Sequence, residues 1–379
     1  MKVVFLGAYF NHHQKPLSDV LADRCEYTYI ATTKMPEMRV KLGYGGNAEP
    51  EYVCRYDEDR ERAEKSLRDA DVVITGSAPE KLVRQCIRRS QPVFRYAERP
   101  LKKGEQWHKY LPRLVKWHWQ NPPGKPIYML CASAYTASDY RKFGLFRNRA
   151  FRWGYFPETR WYEDAALLQK QKPSASLLWV GRFLDWKHPD DVIRAAANLK
   201  ADGLKFTLDF IGTGEQEEKL RSMVTESELE DCVRFLGAMK PEQVREHMEK
   251  AEIFLFTSDR KEGWGAVVNE AMNSGCAVVA SDAAGSSPYL IRHGENGLLY
   301  PSGNAEVLQA SIRQLLEEPK TTARLGANAY RTIQEEWNAE AAAQRFLEMA
   351  EAVLEGRDLG SLFQTGPGSP DAGKRKEGL

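Results

Sequence analysis

Short β-rich runs alternate with amphipathic stretches along most of the chain, and the series occurs twice. In the first half, the apolar runs 2–8, 26–31, 52–56, 71–75, 92–97 and 126–132 read as strands. Between them, 13–24 reads as a helix with Leu17, Val20 and Leu21 on one face, and 79–89 as another with Pro79 set for its first turn. A second series places strands at 177–180, 206–211, 233–236, 253–257 and 277–281, separated by helical stretches 189–201, 215–226, 241–250 and 264–274. Strands joined through helices cannot pair as hairpins. They pair in parallel, with helices covering both faces of the sheet. The expected class is α/β, and 379 residues suit two domains rather than one core.

The expected boundaries follow from the same pattern. A first domain spans 1–160, a polar linker 161–175 and a second domain 176–335. Residues 336–358 form an amphipathic helix, with Trp337, Phe346, Ala350 and Leu354 as anchors, able to pack back across the first domain. The Gly/Pro-rich stretch 359–379 is expected to be a disordered tail.

Charge is divided unevenly. Residues 1–160 hold 29 basic and 18 acidic side chains, while residues 161–379 hold 25 and 35. The excess concentrates in 81–152, with 17 basic against 3 acidic residues and interleaved aromatics Phe94, Tyr96, Trp107, Tyr110, Trp117 and Trp119. Such a mixture suits peripheral contact with an anionic membrane surface or a phosphorylated partner, or else a solvated basic face over core aromatics. Six scattered cysteines form no C-x-x-C pair, so a reducing cytoplasm is expected, at the inner face of the cell membrane where the basic stretch meets lipid. No apolar run approaches the ~20 residues of a membrane span.

The segment Lys261-Glu262-Gly263-Trp264-Gly265-Ala266-Val267-Val268-Asn269-Glu270 carries the most chemistry. It follows a strand and opens a helix. Gly263 and Gly265 let backbone approach a ligand, and the N–H groups of the helix's first turn face an anion. Glu262 and Glu270 flank that turn, and each can accept hydrogen bonds from a different set of hydroxyls on one ligand.

Around this segment stands an ordered series: Trp179-Val180-Gly181-Arg182 with Lys187, then Phe210-Ile211-Gly212-Thr213-Gly214. Val233-Arg234-Phe235-Leu236-Gly237, Ser281-Asp282 and Gly294 to Pro301 follow. Residues 175–317 thereby resemble the donor domain of family 4 glycosyltransferases. The first half, through Asn11-His12-His13-Gln14-Lys15-Pro16 and Tyr155-Phe156-Pro157, resembles members associated with capsular or exopolysaccharide assembly.

The resemblance implies the GT-B fold, two Rossmann-like domains facing across a cleft. It implies a retaining, metal-independent transfer from a nucleotide-diphosphate sugar, of the UDP or GDP type, to a glycan or lipid-linked acceptor in surface polysaccharide synthesis. No cofactor, metal or nucleic acid is expected. Arg182 and Lys187 would bracket the donor pyrophosphate, stabilising the negative charge that grows on the leaving phosphate. Glu262 would hold hydroxyls of the transferred sugar and Glu270 the ribose. Gly263, Trp264, Gly265, Ala266 and Val267 would supply backbone contacts, and Gly212 and Gly214 close approach. Attack from the front face, with the departing phosphate helping to take the acceptor proton, needs no dedicated nucleophile.

The first half departs from the resemblance twice. The first strand is followed by Ala8 to His13 in place of a Gly-rich turn, so Asn11, His12 and His13 are candidates for acceptor contact. At the end of the run 92–97, where many relatives carry a histidine, Glu98-Arg99-Pro100 stands instead. Glu98 and Arg99 are candidates for positioning sugar or acceptor. Neither the His12-His13 pair nor Asp57-Glu58-Asp59 has the ligand set of a metal site. The alternative is a non-catalytic GT-B-like subunit that binds sugar nucleotide or glycan beside another enzyme.

Overall fold

In the computed structural model, which describes residues 1–36, 49–162 and 172–373, the apolar runs are strands of two sheets. The first sheet contains β1 (Lys2–Gly7), β2 (Glu26–Ala31), β3 (Val53–Arg55), β4 (Val72–Thr75), β5 (Val93–Ala97), β6 (Ile127–Cys131) and β7 (Ala150–Arg152). Their order is β3-β2-β1-β4-β5-β6-β7. Pairing is parallel: Val4 registers on Thr28 of β2 and on Val73 of β4. Val3, Val4, Phe5 and Leu6 are all buried, so the run is continuously apolar rather than alternating.

The second sheet contains β8 (Ser176–Val180), β9 (Thr207–Ile211), β10 (Val233–Phe235), β11 (Ile253–Phe256), β12 (Ala277–Ser281) and β13 (Leu298–Tyr300). Its order is β10-β9-β8-β11-β12-β13. The chain divides into two compact units. One is Met1–Glu158 with the stretch that begins at Asn338, and the other is Thr159–Trp337. In each unit the strand order reverses beside the first strand, β1 or β8. Loops leaving the two central strands therefore diverge and open a crevice at their carboxyl ends.

Helix starts follow local chemistry. Asp59, in the acidic run 57–59, accepts the Arg62 N–H at 3.0 Å and caps Arg60–Asp69. Asn304 does the same for Ala305–Glu317, and Pro189 and Pro241 open helices Pro189–Ala201 and Pro241–Lys250.

The helix expected over 336–358 is shorter, Ala339–Leu354. Pro319–Glu335 ends, and Trp337 is buried beside Trp264 and Tyr289, with ring centroids 6.0 and 5.8 Å away. Asn338 then accepts the Ala341 N–H at 2.8 Å and starts Ala339–Leu354. Phe346 of that helix packs edge-on to Phe94 of β5 at 5.2 Å, so the helix belongs to the first unit. Leu354 is 48% exposed and anchors nothing.

The Gly/Pro-rich end, expected to be disordered, is ordered as far as residue 373. Pro370 forms an antiparallel bridge with Phe151 of β7. Arg152 N–H donates to the Ser369 carbonyl at 2.8 Å, Gly368 N–H to the Arg152 carbonyl at 2.8 Å and Asp371 N–H to the Ala150 carbonyl at 2.9 Å. The segment closes the open edge of the sheet, where a proline, lacking an N–H, is tolerated. Composition misled because the partner edge lies far earlier in the chain. Residues 374–379 of that stretch, and 163–171 of the expected linker, lie outside the described residues.

Candidate functional site

The crevice of the second unit is built from the exits of β8 and β11. β8 runs through Gly181 and Arg182 into a tight turn, Asp185–Lys187. His188 follows in the left-handed region at φ 47° and ψ 48°, and the next helix begins. The turn is tied to the loop after β11. Thr257 Oγ1 donates to the Lys187 carbonyl at 2.6 Å and accepts from Trp179 Nε1 at 3.0 Å. Asp259 N–H donates to the Trp186 carbonyl at 2.9 Å.

These ties bring together two side chains 75 positions apart: Lys187 Nζ donates to Glu262 Oε2 at 2.6 Å. Their side chains are only 13% and 15% exposed. Ser258 Oγ donates to the same carboxylate oxygen at 3.1 Å. Arg182 is exposed, and its guanidinium makes no hydrogen bond or ion pair among the described residues.

The glycines have a specific structural cause. Gly212 sits at φ 139°, and a Cβ there would lie 1.8 Å from the Gly181 carbonyl oxygen. At Gly214 a Cβ would lie 2.6 Å from the Phe183 carbonyl oxygen. The close approach they permit is to the chain's own backbone. It lets Gly181 N–H reach the Ile211 carbonyl at 3.0 Å and Phe183 N–H the Thr213 carbonyl at 2.9 Å. Gly265, at φ 89°, would drive a Cβ to 2.4 Å from the Phe256 ring.

That positive φ also delays the helix, expected from 264, which runs Val267–Asn273. Val268 N–H is engaged by the Gly265 carbonyl at 3.0 Å and Glu270 N–H by the Ala266 carbonyl at 3.2 Å. The Trp264 ring is fully buried and its Nε1 donates to Asn269 Oδ1 at 2.8 Å, so this side chain anchors the loop and leaves only backbone for a ligand.

Glu270 projects from this helix, half-buried, and its carboxylate makes no hydrogen bond among the described residues. Burial pushes its pKa above the ordinary carboxylate value, and the charges of Arg245 and Arg160 pull in the opposite direction. Arg245 is held one turn along the helix: its Nη2 donates to Asn273 Oδ1 at 2.6 Å. The same oxygen accepts the Arg160 N–H at 2.8 Å.

In the first unit a second cluster gathers Asn11, His12, His13 and Glu98. Asn11 Oδ1 accepts the His13 N–H at 2.8 Å. The His12 and His13 rings lie 3.9 Å apart, and His13 stacks on Tyr155 at 5.9 Å and 11°. Tyr155 OH donates to Glu98 Oε1 at 2.8 Å, while Lys102 Nζ pairs with Glu98 Oε2. Tyr155 is the member that reading by residue type overlooked, although its motif had been noticed. Arg99 turns away from this cluster. It pairs with the buried Asp139 at 3.4 Å and lies 4.5 Å over the Tyr135 ring, fixing its own loop. Among the described residues no three His, Cys, Asp or Glu side chains converge as a metal site requires.

The model of the family described as glycosyl transferases group 1 matches residues 163–332. That match lies within the second unit, which is therefore similar to a group 1 glycosyl transferase domain. Over 182 residues the chain is 31% identical to the amylovoran biosynthesis glycosyltransferase AmsK of Erwinia amylovora, covering 47% of this chain and 44% of that protein. It is 26% identical to the lipopolysaccharide core biosynthesis glycosyltransferase LpsE of Rhizobium meliloti, over 49% of this chain and 52% of the relative. The chain thus spans about half the length of the curated relatives it matches.

Among solved structures, Anabaena HepE in complex with UDP matches 93% of this chain and 100% of its own, with a TM-score of 0.68 and 17% identity. The pneumococcal O-GlcNAc transferase GtfA in complex with UDP and GlcNAc matches 93% and 99%, with a TM-score of 0.62 and 13% identity. At such identities the likeness is one of fold, and that fold is GT-B. Within the second unit, the crevice that carries Arg182, Lys187, Glu262 and Glu270 lies where doubly wound sheets bind their ligands.

Proposed function

We propose that the protein is a retaining glycosyltransferase that moves a sugar, without a metal, from a nucleotide-diphosphate sugar to a glycan or lipid-linked acceptor in surface polysaccharide synthesis. The observation that carries this reading is the Lys187–Glu262 pair beside an exposed, unpaired Arg182 in the crevice of the second unit. Two cations, Lys187 held in place and Arg182 open to a ligand, stabilise the charge that develops on the departing diphosphate, and they act most strongly when that charge is greatest. Glu262, held by Lys187 and Ser258, keeps lone pairs for hydroxyls of the transferred sugar. Glu270 accepts from the ribose. Its lack of a protein partner supports that role, because a half-buried carboxylate is stabilised by a donor the ligand brings.

The relatives are named for amylovoran and lipopolysaccharide core biosynthesis, and the HepE structure contains UDP, which favours a UDP-sugar donor. The His13–Tyr155–Glu98 cluster suits acceptor hydroxyls, and the basic first unit suits an acceptor at an anionic membrane.

The test is calorimetric titration with UDP, GDP, ADP and TDP in excess chelator, on the wild type and Glu270→Ala. Tight binding of one nucleotide is expected, weakened about 10- to 100-fold in the variant by loss of a charge-assisted hydrogen bond. A wild type that binds none of the four as nucleotide or as nucleotide sugar refutes the proposal.

A further inference from the structure

The helix Tyr110–Gln120 has two faces that ordinary packing does not explain together. One face is committed to the fold. Trp117 is buried, edge-on to Phe143 at 4.6 Å, and the Tyr110 ring stacks on Phe143 at 4.8 Å. The opposite side carries large apolar groups in water: Leu111 is 68% exposed, Val115 70% and Trp119 52%, with Trp107 of the preceding turn 87% exposed. Their spacing of four places them in one stripe along the helix. Scattered exposed apolar residues are ordinary, but a contiguous stripe marks a contact surface.

Charge identifies the occupant. Lys109, Arg113 and Lys116 fall on an adjoining stripe of the same helix, and residues 106–138 contain no Asp or Glu. Arg84 adds a cation, its guanidinium 3.9 Å over the Trp119 ring. A protein partner would be matched by mixed charges. The nearest carboxylates, Glu80 and Glu105, are paired with Arg95 and Lys142, and an apolar stripe bordered mainly by cations matches an anionic lipid surface, with acyl chains below and phosphates above. Tryptophan suits that boundary, having a large apolar ring and one N–H donor. Among the described residues no helix is long and apolar enough to cross a membrane, so attachment of this kind is peripheral.

We propose that the turn at Trp107 and the helix Tyr110–Gln120 lie flat in the headgroup region of an anionic membrane, with Trp107, Leu111, Val115 and Trp119 inserted and Lys109, Arg113 and Lys116 on lipid phosphates. This deepens the reading of a membrane-associated acceptor and rests on it. It uses residues separate from the nucleotide crevice, so the two fail independently.

The experiment is co-sedimentation of the full chain with phosphatidylcholine vesicles, with and without phosphatidylglycerol, alongside UDP calorimetry. The wild type should bind only the vesicles containing phosphatidylglycerol. Leu111→Ser/Val115→Ser and Lys109→Glu/Lys116→Glu should each lower the partition coefficient at least about tenfold, with UDP affinity unchanged. Wild type that ignores anionic vesicles, or variants that bind like wild type, overturns the proposal. So does a dimer in sedimentation equilibrium that Leu111→Ser/Val115→Ser dissolves while vesicles stay unbound, because the face would then belong to a second copy. Vesicle binding without any nucleotide binding would leave this proposal standing and sink the glycosyltransferase reading.

Discussion

Lys187→Met separates what the Lys187–Glu262 pair does for the fold from what it does for chemistry. The two side chains are 13% and 15% exposed, so their pair sits between two regimes. Removing one partner of a fully buried pair costs about 3–5 kcal/mol, and an exposed pair contributes less than about 1. Glu262 keeps the Ser258 hydroxyl at 3.1 Å as a donor, which places the cost near ~2 kcal/mol. For a unit of this size the unfolding midpoint should fall by roughly 4–8 °C. Glu262→Gln added to Lys187→Met removes the stranded charge and should restore most of that loss. Turnover should behave differently. Loss of a cation that stabilises the leaving diphosphate costs about 3 kcal/mol, on the order of 100-fold in rate, and Gln at 262 cannot replace it. Calorimetric melting and single-turnover transfer on the wild type, both single variants and the double variant provide the two readouts. A midpoint unmoved by Lys187→Met, or a rate that recovers together with stability in the double variant, refutes the reasoning.

Other substitutions probe the frame around this pair. Gly212→Ala should destabilise the second unit by about 3 kcal/mol or more, since its Cβ would meet backbone at 1.8 Å and φ is 139°; an unchanged urea midpoint contradicts this. Glu270 has its folded pKa raised, so ionising it disfavours the fold: stability falls as pH rises from the unfolded value through the raised one, and the penalty persists above. Glu270→Gln should therefore melt higher than wild type at neutral pH and lose that advantage in acid, a difference checked by melting curves across pH. Removal of residues 366–379 uncovers the edge of β7 and should lower the midpoint of the first unit and raise light scattering on heating.

The fold was legible wherever a run was long enough to be buried on both faces. β1, β4, β8 and β11 were found because Val, Ile, Leu and Phe follow one another without a break. β7 and β13, three residues each at sheet edges, are too short for any period to register. Tyr110–Gln120 escaped for a different reason. With Leu111 and Val115 outward and Trp117 inward, its apolar residues encircle the axis and no single buried face emerges. In the site, Lys187 and Glu262 were each recognisable from their motifs, but their contact was not. It depends on Thr257 and Asp259 tying two loops that are remote in sequence. Gly212 and Gly214 were assigned to close approach of a ligand, whereas what they admit is the backbone of Gly181 and Phe183, a distinction that residue type cannot make.

The two crevices, similar in topology, offer opposite chemistry. After β8 the turn leaves cationic side chains at the strand end: Arg182 exposed, and Lys187 held by Glu262. After β1, Asn11 consumes the donors that a Gly-rich turn would present. Its side chain takes the His13 N–H, and its carbonyl takes the N–H groups of Gln14 and Lys15 at 3.0 and 3.1 Å. A phosphate bound there would meet few backbone donors. What lines that end is imidazole, phenol and a carboxylate already balanced by Lys102. Such groups exchange hydrogen bonds with neutral hydroxyls and discriminate among them by geometry. On the function proposed above, a polyanion would sit in the second unit's crevice and a hydroxyl-rich acceptor in the first's.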